Sequence, residues 1–281
     1  MFEGLVETRW GLRVERVEVL VGGMNSRVWM VVAGGKKYVV KAVGVRDDAF
    51  AAGLEMAARL QAGGVVTGAP VASRSGRLVE VDGEHQVAVL EFVDGVPLVG
   101  GPEDHAVMGA TIARVHAILA AEPADIGGWV DRMTGVFDEY LDLEPWIRPA
   151  VEGALDGVRK TAGLSWAGLH GDPAAEAFLR QPDGATALID WGGAMLGPVL
   201  YDLGSLVMYL SEPDRVIAAY LAERPALTEE VSTHLDTFIN FRFAIQAAYF
   251  AWRLATDVQT GLTTSDGNHK GLSDARRWFN V

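Results

Sequence analysis

The spacing of apolar positions changes character along the chain. Over residues 14–21 valines alternate with charged residues, residues 27–33 are rich in valine, and residues 36–43 form a second β-branched run behind Gly34-Gly35. Alternation of period two around a glycine-pair turn predicts three antiparallel strands, because successive strand side chains face opposite ways. Residues 47–62 switch to helical spacing, with Phe50, Leu54, Ala57, Ala58 and Leu60 on the side to be buried. Asp47-Asp48 opens that stretch and Gly63-Gly64 closes it, which is helix-start and helix-stop chemistry. Short strands are predicted at 71–72, 77–81 and 86–92, with an Asp82-Gly83 turn before the last.

From Glu103 onward the pattern is helical. Residues 105–119 carry a stripe of Val107, Met108, Ile112, Val115, Ile118 and Leu119, and further helices are expected at 137–143, 201–210, 213–221 and 228–256. The last holds Phe238, Phe241, Phe243, Tyr249, Phe250 and Trp252, aromatics read as core. A hairpin interrupts this half: residues 178–180, the turn Gln181-Pro182-Asp183-Gly184, then residues 185–189. Proline presets one turn dihedral and glycine accepts the positive one. The fold class expected is α+β, with strands and one helix first and helices after.

Composition narrows the partners. At 281 residues and 49% apolar content, the chain supports one large domain or two lobes around a sizeable core. There is no cysteine, so disulfides and thiolate metal sites are excluded. Residues 1–7 have neither a basic start nor an apolar core, and no run approaches the ~18 apolar residues of a membrane span. A cytoplasmic location and no membrane partner are expected. The net charge of −13, from 24 basic and 37 acidic residues, disfavours nucleic acid and favours a cationic partner, although it also serves solubility. Asp138 and Asp142 are spaced to share a helix face, which reads as a solvated face or as the lining of a site for a cation.

The chemistry concentrates in His170-Gly171-Asp172 and Ile189-Asp190-Trp191-Gly192. The hairpin between them is expected to bring Asp172 and Asp190 close. Phosphoryl transfer needs one carboxylate to orient and deprotonate the attacking hydroxyl and another to hold the magnesium that neutralises the phosphates. A small-residue loop, Gly22-Gly23-Met24-Asn25-Ser26, lies between the first two strands, where its backbone could approach phosphates. Asp172 has a structural alternative as a helix N-cap with Pro173 at the first position, but the strand at Phe178 leaves barely one turn for such a helix.

With Gly197-Pro198-Val199-Leu200-Tyr201-Asp202, these motifs resemble the aminoglycoside phosphotransferase family of small-molecule kinases, in kinase order over nearly the whole chain. The resemblance implies a two-lobed, protein-kinase-like fold: an antiparallel β lobe with one helix over residues 1–94, and a larger, mainly helical lobe over residues 95–281. It implies ATP or GTP and Mg2+ as nucleotide and metal, with Asp172 as catalytic base and Asp190 as metal ligand. Gly23, Asn25 and Ser26 would cradle the phosphates, and Lys41, on the third strand, would contact them. The alternative for Lys41 is a strand-end lysine reaching water. Glu55 would pair with Lys41, or else lie exposed. Backbone groups of Glu91 and Val93 would meet the adenine. His116, in Ala113-Arg114-Val115-His116, would be a structural core histidine, and Asp202 would brace the catalytic loop.

One position departs from the family pattern. Its loop places an asparagine, the second metal ligand, where this chain has Ala177. Glu176 is adjacent and offers the hard oxygen magnesium prefers, so it either takes over that role or points elsewhere. The expected activity is phosphorylation of a hydroxyl on a small, cationic antibiotic, aminoglycoside or viomycin- and capreomycin-like peptide, as in resistance. A kinase of a primary metabolite such as homoserine, choline or a sugar is the alternative, and a catalytically dead nucleotide-binding module is the other.

Overall fold

Helix α1 (Glu3–Trp10) ends where Gly11 takes a left-handed φ of 74° and returns its N–H to the Glu7 carbonyl. The computed structural model describes residues 2–20, 26–98, 101–208, 210, 212–261 and 266–281. They form two compact units, residues 1–101 with 170–195 and residues 102–169 with 196–281. The single cut expected near Gly95 is therefore not how the chain divides, because residues 170–195 return to the first unit.

In the first unit, strands β1 (Val14–Leu20), β2 (Arg27–Ala33) and β3 (Lys36–Gly44) follow the predicted alternation. Helix α2 (Asp48–Ala62) leads to the short β4 (Pro70–Val71) and β5 (Glu80–Asp82), then β6 (His85–Glu91) and β7 (Val96–Pro97). The main sheet runs β1-β2-β3-β6-β4, with β5 also on β6, and every pairing is antiparallel. Val40 and Ala42 of β3 pack with Val6 and Trp10 of α1. Val43 packs instead with Phe50 and Leu54 of α2, so the odd positions of β3, Lys41 included, face α2. Burying side chains such as Phe50 and Leu54 contributes about 1.5–3 kcal/mol each, which fixes α2 on this face.

The second unit begins with α3 (Pro102–Ile118), β8 (Ala120–Ala121), α4 (Ile126–Thr134), α5 (Ile147–Arg159) and β9 (Trp166–Leu169). Residues 135–140, expected to be helical, form a 3-10 turn, and Arg148 ties Asp138 and Asp142 together beside it. The chain then re-enters the first unit as the hairpin β10 (Phe178–Arg180) and β11 (Thr186–Leu188), in which Phe178 faces Leu188 and Arg180 faces Thr186. Strand β7 pairs with β10, and Val66 bridges Ala187, which anchors the hairpin.

After β12 (Met195–Pro198) come α6 (Val199–Val207), α7 (Pro213–Glu223), α8 (Thr228–Ala255) and α9 (Gly267–Trp278). Helices α3 and α7 approach so closely that a Cβ on Gly109 would lie 2.2 Å from the Val216 carbonyl oxygen. Phe238, Phe241 and Phe243 of α8 are buried, as aromatics at that spacing should be. Trp129 meets the rings of Tyr201 and Phe241 at 5.4 and 5.6 Å. His116 is fully buried, with Nε2 3.2 Å from Asp202 and Nδ1 2.9 Å from the Tyr220 hydroxyl. Among the described residues no helix is long and apolar enough to cross a membrane.

Candidate functional site

The site builds up from two glycines. Gly171 has φ +89°, and a Cβ there would lie 2.0 Å from the Gly193 carbonyl oxygen, so only glycine lets the two loops touch. His170 is buried, its Nε2 lies 2.8 Å from the Ile189 carbonyl oxygen, and its ring meets Trp191 edge-on at 4.8 Å. The residues just before Asp172 are thus fastened to the residues on both sides of Asp190. Asp172 is exposed, and its carbonyl accepts from the Ala174 amide at 2.8 Å. Gly192 is the second glycine: a Cβ there would lie 2.8 Å from Lys41 Nζ.

Asp190 occupies the left-handed region, at φ 67° and ψ 59°. A non-glycine residue in this conformation points to a functional constraint, since aspartate pays a cost there that asparagine and aspartate tolerate better than others. Its carboxylate makes a short ion pair with Lys41. The Lys41 side chain keeps 11% of its surface exposed and Asp190 keeps 56%, so the carboxylate is the member a ligand can reach. Desolvation by the surrounding protein is the largest influence on the Asp190 carboxyl and raises its pKa. The Lys41 ammonium, then His170 and the Gly192 amide, outweigh it, and the group sits below its ordinary range.

The ion pair expected between Lys41 and Glu55 is not formed. Helix α2 turns Gly53 toward the 191–193 turn, where a Cβ would lie 2.1 Å from the Trp191 carbonyl oxygen. Glu55 lies two residues on, about 200° around the helix, and is exposed. Alternation in β3 foretells that Lys41 faces α2, but not which residue of α2 meets it. An isolated glycine inside a helical pattern is the signal that could have singled out Gly53.

Glu176 is exposed on the 3-10 turn of residues 175–177, while Ala177 is buried and its carbonyl accepts from the Ile189 amide at 2.9 Å. Among the described residues no group of three or more His, Cys, Asp or Glu is placed to hold a metal ion. Asp190 alone fits a metal ligand, an ionised and accessible carboxylate. Magnesium is commonly held by one or two carboxylates plus substrate phosphates, so this donor set is compatible with it.

At the end of β6 the Glu91 amide donates to Ala69 at 2.9 Å, while its carbonyl faces Gly68. A Cβ on Gly68 would lie 3.0 Å from that carbonyl oxygen, 3.3 Å from a Val93 methyl and 3.9 Å from an Ile189 methyl. A backbone acceptor between two apolar side chains suits a flat ring carrying a donor. Ser26 is half-buried just before β2, and Gly23 and Asn25 lie outside the described residues. Asp138 and Asp142 are engaged by Arg148, at 3.0 and 2.7 Å.

Known structures share this fold. Spectinomycin phosphotransferase APH(9)-Ia, solved with ADP and spectinomycin, superposes with a TM-score of 0.68 at 14% identity, over 100% of this chain and 94% of that one. A thermostable mutant of aminoglycoside phosphotransferase APH(4)-Ia, with ADP and hygromycin B, gives 0.69 at 16% identity, covering 98% and 96%. A microcompartment-associated aminopropanol kinase gives 0.66 at 17%, covering 96% and 92%. These likenesses place the chain in the mixed α+β, kinase-like fold. No curated protein sequence matches it. The sequence pattern of the phosphotransferase enzyme family matches residues 16–231, which span the glycine loop, Lys41, Asp172 and Asp190. With that match over most of its length, the chain belongs to the phosphotransferase enzyme family.

Proposed function

We propose that the protein is a small-molecule kinase that moves the γ-phosphoryl group of ATP or GTP to a hydroxyl of a small, cationic acceptor. The observation that carries this reading is the joining of His170-Gly171-Asp172 to the turn around Asp190, with Lys41 held at the same turn. Asp172 takes the proton of the acceptor hydroxyl, a role typically worth about 10²–10⁴-fold in rate. The acceptor oxygen bonds to the γ-phosphorus, the bond to the bridging oxygen breaks, and the nucleoside diphosphate leaves. Lys41 and the backbone of the Gly23, Asn25 and Ser26 loop hold the phosphates. The Glu91 carbonyl, Val93 and Ile189 receive the base. Asp190 would hold magnesium, with Glu176 as the second ligand in place of the absent asparagine. The ion would neutralise charge on the phosphates.

For the acceptor, two similar structures carry antibiotics, spectinomycin and hygromycin B. The net charge of −13 favours a cation. These support an aminoglycoside-like or cationic peptide antibiotic and a resistance role. The likeness to an aminopropanol kinase supports a second reading, a kinase of a small amino alcohol or other primary metabolite. Ala177 favours a third, a nucleotide-binding module without turnover. Nucleotide consumption that depends on an added acceptor separates them: antibiotics, amino alcohols or none. Turnover that survives Glu176→Ala with unchanged magnesium dependence would remove Glu176 from the metal site.

A further inference from the structure

Lys41 is a nearly buried ammonium and needs an anion, since an isolated charge in such a place is costly. Helix α2 supplies none: Gly53 faces the loop with no room for a side chain, and Glu55 lies exposed on another face. The anion is Asp190, and Gly192 leaves the space in which the two meet. The carboxylate suited to a metal is therefore already engaged by the ammonium suited to phosphate.

We propose that Asp190 serves two masters in turn, Lys41 in the unloaded chain and a metal ion in the loaded one, so that nucleotide and metal each bind weakly alone and tightly together. This rests on the nucleotide reading of the site. Metal-free ATP meets the Asp190 charge and a Lys41 already satisfied. A divalent cation alone must take Asp190 from Lys41 and leave that ammonium without an anion. When both arrive, Lys41 exchanges Asp190 for a phosphate oxygen and Asp190 exchanges Lys41 for the metal, so every charge stays paired. Asp190 is thus a positioning residue for Lys41 as well as a ligand. Asparagine keeps its shape and its tolerance of the left-handed backbone while removing the charge.

The test measures binding to the full chain by calorimetry, with circular dichroism to confirm folding, for wild type, Asp190→Asn, Lys41→Met and the double variant. Asp190→Asn is expected to bind ATP in EDTA at least about tenfold more tightly than wild type, through removal of one adjacent like charge and release of Lys41. The same variant loses the enhancement by magnesium, and the double variant loses the gain. Lys41→Met is expected to bind Mn2+ alone about tenfold more tightly than wild type, because Asp190 has been released. Metal-free ATP binding no tighter in Asp190→Asn, or Mn2+ binding unchanged in Lys41→Met, overturns the proposal while leaving the kinase reading in place. A wild-type protein that binds ATP neither with nor without magnesium overturns both.

Discussion

Replacing Gly171 with alanine tests the loop geometry quantitatively. At φ +89° an L-residue costs about 1–2 kcal/mol relative to glycine. The new Cβ would also lie 2.0 Å from the Gly193 carbonyl oxygen, so one backbone segment must move by roughly 1 Å, and forced packing of this kind costs about 1–3 kcal/mol more. Gly184 supplies the control: its φ is +86°, but nothing lies within 4 Å of a Cβ built there. Gly184→Ala should therefore lose about 1–2 kcal/mol and Gly171→Ala about 2–5 kcal/mol in urea unfolding followed by tryptophan fluorescence. Because residue 171 precedes Asp172 and residue 193 follows Asp190, the same displacement should lower turnover by about 10²-fold in Gly171→Ala alone. Equal losses in the two variants, with equal activity, would refute the close approach of the loops.

Gly53→Ala should trade a helix-propensity gain of up to about 1 kcal/mol for a collision with the Trp191 carbonyl costing about 1–3 kcal/mol. Gly153→Ala in α5, with open space around it, should instead stabilise by up to about 1 kcal/mol, and thermal unfolding of the pair checks the contrast. Glu80 is buried and accepts hydrogen bonds from the Ser73 and Ser75 hydroxyls at 2.7 and 2.8 Å, which hold its pKa below the ordinary glutamate range. A lowered folded pKa stabilises above the unfolded value, and the benefit fades as pH falls through the folded one. Ser73→Ala should cost about 1–3 kcal/mol near neutral pH, and the difference from wild type should shrink below about pH 4 in denaturation midpoints measured across pH.

Much of this site can be read along the chain and part of it cannot. The strands around Lys41 follow from valine alternation, and the hairpin around Gln181-Pro182-Asp183-Gly184 forms where its turn chemistry places it. The partner of Lys41 depends on how α2 is rotated about its axis, a tertiary choice made by Phe50 and Leu54 and by the close seating of Gly53 on Trp191. The left-handed backbone of Asp190 has no sequence signature at all. Helix α5 does carry its signal, with Ile147, Val151, Ala154, Leu155 and Val158 at helical spacing. Pro149 disguises it, although proline is tolerated there because the first-turn amides have no helical partner. Helix α1 is too short for periodicity to speak, and its Val6 and Trp10 acquire meaning only against the sheet. The division into units was likewise hidden, because β7 and β10 meet across some eighty intervening positions.

The central claim is that Asp172 activates an acceptor hydroxyl for phosphoryl transfer. The direct measurement is acceptor-dependent ADP release by wild type and Asp172→Asn, with spectinomycin, hygromycin B, capreomycin, aminopropanol and homoserine as trial acceptors in magnesium and ATP. Turnover with at least one acceptor, falling by about 10²–10⁴-fold in Asp172→Asn while ATP affinity and stability stay within error of wild type, is the predicted result. A wild-type protein that binds ATP yet releases no ADP with any acceptor, or an Asp172→Asn variant as fast as wild type, would contradict it.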